Sequence, residues 1–242
     1  VSDRIVDLNA DVGEGLEAEA LMPHLTSVSV ACGGHAGDRQ TMAATLHAAK
    51  RHGLRVGAHP SYPDRAHFGR VDIGLQPSEL AESLRQQLST LGEVAAEAGV
   101  RLTHVKAHGA LYNRAWQDRA VAEVVVGAVA VLNPALAVFC PPGSEQEKAA
   151  HEAGLAVVRE VFLDRGYSPE GTLIPRGELG DIVSGSIALV QQISNVAGLE
   201  FETMCVHGDN AGALDLLLSA PALMAARGWR VGPYATPADA AT

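Results

Sequence analysis

Leu102-Thr103-His104-Val105-Lys106-Ala107-His108 is a short β-forming run that closes on a lysine and a histidine. Period-two alternation puts His104, Lys106 and His108 on one face of such a strand. A lysine inside a strand is costly to bury unless it meets an anion. Lys106 therefore reads as a phosphate or carboxylate binder, the plainer alternative being a solvent-exposed lysine near a strand end.

The same design recurs along the chain. Ile5 to Val12, Val28 to Cys32, Arg55 to His59, Leu136 to Cys140, Ala156 to Phe162 and Thr203 to His207 are further strand candidates, making seven. Helical stretches separate them. Asp38 can cap Arg39 to His52, which stops at Gly53, and Ser78 can cap a stretch ending at Gly99 with Leu80, Leu84, Leu88 and Leu91 on one face. Ser144 and Glu147 have capping-box spacing before a helix that stops at Gly154, and Leu214, Leu217 and Leu218 stripe a last helix ending near Gly228. Strand and helix in alternation imply parallel strands with crossover helices, as an open sheet or a closed barrel.

Where the polar residues gather decides between the two, because a barrel collects its chemistry at the C-terminal ends of many strands. The strand endings read Asn9 and Asp11; Cys32-Gly33-Gly34-His35; His59; Lys106 and His108; Pro141-Pro142-Gly143; Asp164-Arg165; and His207-Gly208-Asp209-Asn210. A single α/β barrel domain over residues 1–242, with a loosely ordered Ala-, Pro- and Thr-rich tail at 233–242, is the expectation.

Composition narrows the function. The chain has 242 residues, 28 acidic against 18 basic, and a formal net charge of −10, which argues against a general nucleic-acid binder. Aromatic residues, at 4%, are too sparse for a base-stacking surface. No apolar run approaches the roughly 18 residues of a membrane span, and Val1 to Gly15 lacks the basic start and apolar stretch of a signal peptide. A soluble, cytoplasmic protein is expected. Cys32, Cys140 and Cys205 are odd in number and set in apolar stretches, which suits reduced thiols, and there is no CxxC for structural zinc.

Gly13 to Ala18 matches the loose dinucleotide pattern GxGxxA, but Pro23 interrupts the helix it would open. Neither a P-loop nor a GxSxG elbow is present. In Cys32 to Asp38, Gly33, Gly34 and Gly37 leave backbone amides open to an anion just before a helix; the plainer reading is a tight turn capped by Asp38. Cys32 in an apolar strand reads as inert packing rather than a nucleophile. His59, His108 and His207 end three candidate strands and Asp11 a fourth, so imidazole and carboxylate can meet at one mouth as metal ligands or proton carriers. Arg70, Arg165 and Arg176, in loops rich in Gly, Pro and Tyr, can add bidentate anion recognition.

Five stretches carry a resemblance: Asp7 to Asp11 (DLNAD), Cys32 to Asp38 (CGGHAGD), Gly57 to Asp64 (GAHPSYPD), Lys106 to Asn113 (KAHGALYN) and Cys205 to Asn210 (CVHGDN). With Glu160 to Arg165 and Ile174-Pro175-Arg176 in order, the chain resembles the LamB/YcsF family over nearly its whole length. The resemblance implies a seven-stranded, distorted TIM-like β/α barrel of the glycoside hydrolase and deacetylase type. It also implies the 5-oxoprolinase reaction, in which 5-oxo-L-proline, ATP and water give L-glutamate, ADP and phosphate, carried out with two partner subunits. On that reading the catalytic candidates are Asp11, His59, Lys106 and His108. Substrate or phosphate contacts fall to Asn9, Gly33, Gly34, His35, Asp38, Arg70, Tyr112, Asn113, Arg165, Arg176, His207, Asp209 and Asn210. ATP is the co-substrate, Mg²⁺ is expected with Asp11, His59 and His108 as ligands, and a resident transition metal is the alternative. Two competing readings stand beside it: a metal-dependent deacetylase or amidohydrolase needing no ATP, and a non-catalytic subunit that delivers a substrate.

Overall fold

Strand β1 (Arg4–Val12) hydrogen-bonds on one side to β2 (Ser27–Ala31) and on the other to β7 (Thr203–Cys205), and this double pairing closes the sheet. Between them run β3 (Arg55–His59), β4 (Leu102–Lys106), β5 (Ala137–Cys140) and β6 (Val157–Phe162), each parallel to its neighbour. The computed structural model describes residues 4–15, 18–169, 171–235 and 239. A seventh-and-first pairing of Asp7 with Thr203 and Asn9 with Cys205 makes the barrel of seven parallel strands to which the polar strand endings pointed.

Alternation along the strands sorts the side chains. Val6, Leu8, Ala10, Val28, Val30, Val56, Ala58, Val105, Val138, Val161 and Met204 belong to the large apolar core shared with the helices. Their strand neighbours form a polar interior. Asp7 accepts from Thr26 (2.6 Å), Ser27 (2.7 Å) and Thr203 (2.5 Å), and Asn9 donates to Glu160 (2.9 Å) and Thr203 (2.8 Å). Nearer the N-terminal end, His104 stacks on Phe139 at 4.0 Å and meets Ser29 and Tyr234. So His104 shares the face of Lys106, as the spacing required, but serves the floor of the barrel.

Outside the barrel lie α1 (Arg39–Arg51), α2 (Pro77–Glu97), α3 (Gly109–Gln117), α4 (Arg119–Leu132), α5 (Glu145–Glu152), α6 (Ser186–Val196) and α7 (Ala213–Ala225). Asp38 caps α1 through the Thr41 amide at 2.8 Å, and Ser144 caps α5 through the Glu147 amide at 3.0 Å. The expected cap of α2 is corrected: the N-cap is Gln76, because Pro77 supplies the first helical φ, and the Glu79 carboxylate accepts the Gln76 N–H. The stripe on α7 is corrected too. Leu217 is buried, but Leu214 and Leu218 are exposed, and the covered face runs through Ala213, Leu216, Leu217, Ala220 and Met224.

An eighth strand was not foreseen. β8 (Trp229–Val231) pairs with Arg4–Val6 of β1 outside the ring, and the chain then turns beneath the barrel. There Tyr234, buried beside Phe139, donates to Thr103 Oγ1 at 2.8 Å and lies under the Arg55 guanidinium. The start of the tail expected to be loose is therefore packed as a plug; residues 236–238 and 240–242 lie outside those described. No helix among the described residues is long and apolar enough to cross a membrane.

Candidate functional site

At the C-terminal ends of the strands a cavity of about 720 Å³ opens, with Asp11, His59, Lys106, His108 and His207 in its floor and Arg70, Asn113, Trp116 and Arg176 toward its rim. Lys106, on the inward face of β4, is 2% exposed. Its Nζ lies 3.1 Å from Asp11 Oδ1 and 2.9 Å from Glu160 Oε1, and donates to Asn9 Oδ1 at 3.3 Å and Cys205 Sγ at 3.0 Å. Burial works against its charge, but Asp11, Cys205 and Glu160 hold its pKa well above the ordinary value. The anions that make a strand lysine tolerable are thus the chain's own carboxylates, the second of the two anion classes expected for Lys106. Burial by itself would raise the Asp11 carboxyl; His59 and Lys106 beside it keep it well below the ordinary range.

The other oxygen of Asp11 faces His59 Nε2 at 3.3 Å. That nitrogen is 2.9 Å from His108 Nδ1, while the outer nitrogens reach backbone carbonyls: His59 Nδ1 to Lys106 O at 2.8 Å, His108 Nε2 to Phe68 O at 2.9 Å. His35, whose ring stacks on His108 at 3.7 Å, holds Glu14 Oε1 at 2.8 Å from its Nε2. Glu14, His35, His59 and His108 each turn one donor atom into a space less than 4.8 Å across, so these four could hold a metal ion. Desolvation pushes the Glu14 carboxyl up to about 7, His35 down to about 4 and His108 well below its ordinary value.

Across the cavity, Asp164 at the end of β6 accepts from the backbone N–H of His207 at 2.9 Å and lies 3.0 Å from His207 Nδ1. Asp164 is 1% exposed; burial opposes its charge, but His207 keeps its pKa lowered. The His207 ring stacks on Phe162, which leaves Nε2 for the cavity.

Residues 6–239, which hold every one of these side chains, match the LamB/YcsF family. The chain belongs to the LamB/YcsF family. A protein of Streptomyces avermitilis named as the A subunit of 5-oxoprolinase is 40% identical over 250 residues, spanning 96% of this chain and 100% of that relative. One of the same name from Carboxydothermus hydrogenoformans is 42% identical over 88% of this chain and 91% of its own. Among solved structures, the lactam utilization protein of Thermus thermophilus superposes with a TM-score of 0.85 at 31% identity, covering 95% of this chain and all of that one. A family 4 carbohydrate esterase from Streptomyces lividans shares the fold, with a TM-score of 0.51 at 12% identity over 96% of this chain and 94% of its own.

In this LamB/YcsF chain the sequence-selected residues fall into three groups. Asp11, His59, Lys106, His108 and His207 converge on the floor of the mouth, with His35 stacked on His108 outside the cavity lining. Arg70 and Arg176 meet at the rim through Asp209, at 2.6 and 3.5 Å, and Asn113 and the buried Tyr112 of α3 line the same wall. The remainder are scaffold. Asn9 lies beneath the mouth, and Asn210 backs Asp164 at 3.4 Å. Arg165 touches the cavity but spends its guanidinium on the carbonyls of Asp181 (3.0 Å) and Ile174 (2.6 Å), clamping the loop after β6.

Gly33, Gly34 and Asp38 open onto a separate outer groove between α1 and α2, not the mouth. The Gly33 amide is taken by Ala36 O at 2.8 Å, and Arg65 donates to the carbonyls of Gly33 and Gly37, so the loop offers a cation-facing backbone where amides were expected. Glu14 and Glu160 went unselected as site residues. Alternation does flag Glu160, two residues before Phe162 on the inward face, whereas Glu14 follows the strand in a loop where no period applies. The cysteines are free and buried, and Cys32, its thiol pushed up to about 12 by burial, is no nucleophile.

Proposed function

We propose that this chain is the A-type subunit of an ATP-dependent 5-oxoprolinase, opening the lactam of 5-oxo-L-proline to L-glutamate with two partner subunits. The observation that carries this reading is a single cavity with a carboxylate-backed imidazole, Asp164–His207, on one wall and ionised Asp11 with the His59–His108 pair on the other. The names of the relatives supply the substrate and the existence of other subunits.

A five-membered lactam is a poor electrophile, and phosphorylating its amide oxygen makes the ring carbon open to water. The site's residues divide that work. Arg176, whose contact to Asp209 is long at 3.5 Å, has donors left for the substrate carboxylate. His207 Nε2, oriented by Asp164, takes a proton from the attacking water and returns it to the departing ring nitrogen, and a second water then hydrolyses the acyl phosphate so formed to L-glutamate and phosphate. Lys106 acts as a positioning residue that keeps Asp11 charged and aimed at His59. A small lactam fills only part of about 720 Å³, which leaves room for the phosphoryl end of ATP, whose Mg²⁺ enters with the nucleotide.

The test is glutamate release from 5-oxo-L-proline with ATP and Mg²⁺, in a mixture of the two partner subunits with this chain present or omitted. Glutamate that requires both chain and ATP supports the reading, and His207→Ala should then lower kcat by roughly 10²–10⁴-fold. Turnover of an acetylated or cyclic amide by the chain alone, without ATP, would replace it with the amidohydrolase reading that the imidazole cluster favours.

A further inference from the structure

We propose that Glu14, His35, His59 and His108 form a resident site for one borderline divalent transition metal, of the zinc, cobalt or nickel kind, and not for magnesium. The inference stands on geometry and is independent of the oxoprolinase reading.

Hydrogen-bond roles make the first argument. A carbonyl oxygen only accepts, so His59 Nδ1, 2.8 Å from Lys106 O, and His108 Nε2, 2.9 Å from Phe68 O, both carry hydrogen. That leaves His59 Nε2 and His108 Nδ1 facing each other across 2.9 Å, each with its lone pair toward the other unless a proton lies between them. Lone pairs facing at that distance repel unless a cation lies against both. Two nitrogens bound to one ion at about 2.1 Å and roughly right-angled or tetrahedral bond angles sit about 3.0–3.4 Å apart. The observed separation is close to that window.

The surroundings make the second. Glu14 Oε1 lies 2.8 Å from His35 Nε2, 3.5 Å from His108 Nδ1 and 3.7 Å from His59 Nε2, and these imidazoles are its only ion-pair partners among the described residues. A largely buried carboxylate with no lysine or arginine among those partners takes either a proton or a counter-charge, and a cation at the cluster would supply the second. Backbone strain supports the ring that most needs fixing. Phe68, whose carbonyl holds His108, has φ +55°, and a Cβ on the following Gly69 would come 2.9 Å from His35 Cβ and 3.0 Å from His108 Cδ2. Outer nitrogens tied to carbonyls are how ligating histidines are oriented toward a metal. Three imidazoles with one carboxylate suit zinc and its neighbours, whereas magnesium takes oxygen donors and keeps its water.

The experiment uses the full chain, stripped with a chelator and titrated calorimetrically with Zn²⁺, Co²⁺ and Mg²⁺, with metal content of the protein as purified measured in parallel. The expected result is one Zn²⁺ or Co²⁺ per chain, a visible ligand-field band on Co²⁺ binding, and no displacement by millimolar Mg²⁺. His59→Ala/His108→Ala should weaken Zn²⁺ by roughly 100-fold or more, and Glu14→Gln, which preserves shape, by roughly 10-fold or more. Circular dichroism checks that the variants fold. Absence of stoichiometric binding by the folded wild-type chain, Mg²⁺ binding as tight as Zn²⁺, or affinity unchanged in Glu14→Gln would each overturn the site; the first would mean that a shared proton occupies the gap between His59 and His108.

Discussion

A lysine with three donor hydrogens and four neighbours, Asp11, Glu160, Asn9 and Cys205, is saturated inside the chain. Its removal leaves two buried carboxylates without its positive charge, so Lys106→Met should cost about 3–5 kcal/mol, and adding Glu160→Gln should return part of that loss in a denaturant-based double-mutant cycle. Strictly additive losses would mean that the two residues do not act as a pair. His104 gives a pH test. Burial, with Lys106 adding to it, lowers its pKa from 6.5 to about 3, so the folded chain keeps it neutral while the unfolded chain takes a proton below about 6.5. Its contribution is complete above that value and is lost as pH falls toward 3, at roughly 1 kcal/mol per pH unit. Unfolding free energies of wild type and His104→Gln, measured from pH 7 to pH 4, should converge; a constant gap contradicts the assignment. The floor residues of the mouth were legible because strand alternation and strand endings are local patterns. Lys106's partners were not, since Glu160 lies 54 residues further along the chain and meets it only across the barrel.

Helix α1 separates two readings of one residue. Asp38 is placed to bind an anion by its glycine-rich neighbours and to cap a helix by its position, and the structure has it capping, with the Thr41 side chain completing the reciprocal pair at 2.7 Å. Asp38→Ala should therefore lower stability by about 1 kcal/mol and leave KM for any mouth substrate unchanged; a raised KM with unchanged melting would restore the binding role. At β3 the limit is space. A Cβ on Gly57 would overlap the His104 ring, so Gly57→Ala should destabilise by about 1–3 kcal/mol, read from urea midpoints. All seven barrel strands were visible as β-branched runs. β8, three residues long and half exposed, carries no such signal, and the shifted α2 cap shows Pro77 overriding a serine that local spacing favours.

At the scale of the molecule, polar side chains fill the barrel and apolar ones join it to the helices, so the mouth inherits its charge from the strands themselves. The floor is sealed by Tyr234 from the far end of the chain. Tyr234→Ala should cost about 3–5 kcal/mol by the loss of a buried aromatic, and Tyr234→Phe about 1 kcal/mol through the hydroxyl's bonds to Thr103 and His104. Equal melting temperatures for all three proteins would show the plug to be idle. The pairing of β1 with β2, β7 and β8 also sets an order of events in synthesis. Strand β1 cannot complete its ladders until β7 and β8 have been made, so the chain between them travels with an open sheet edge that is sticky toward other chains.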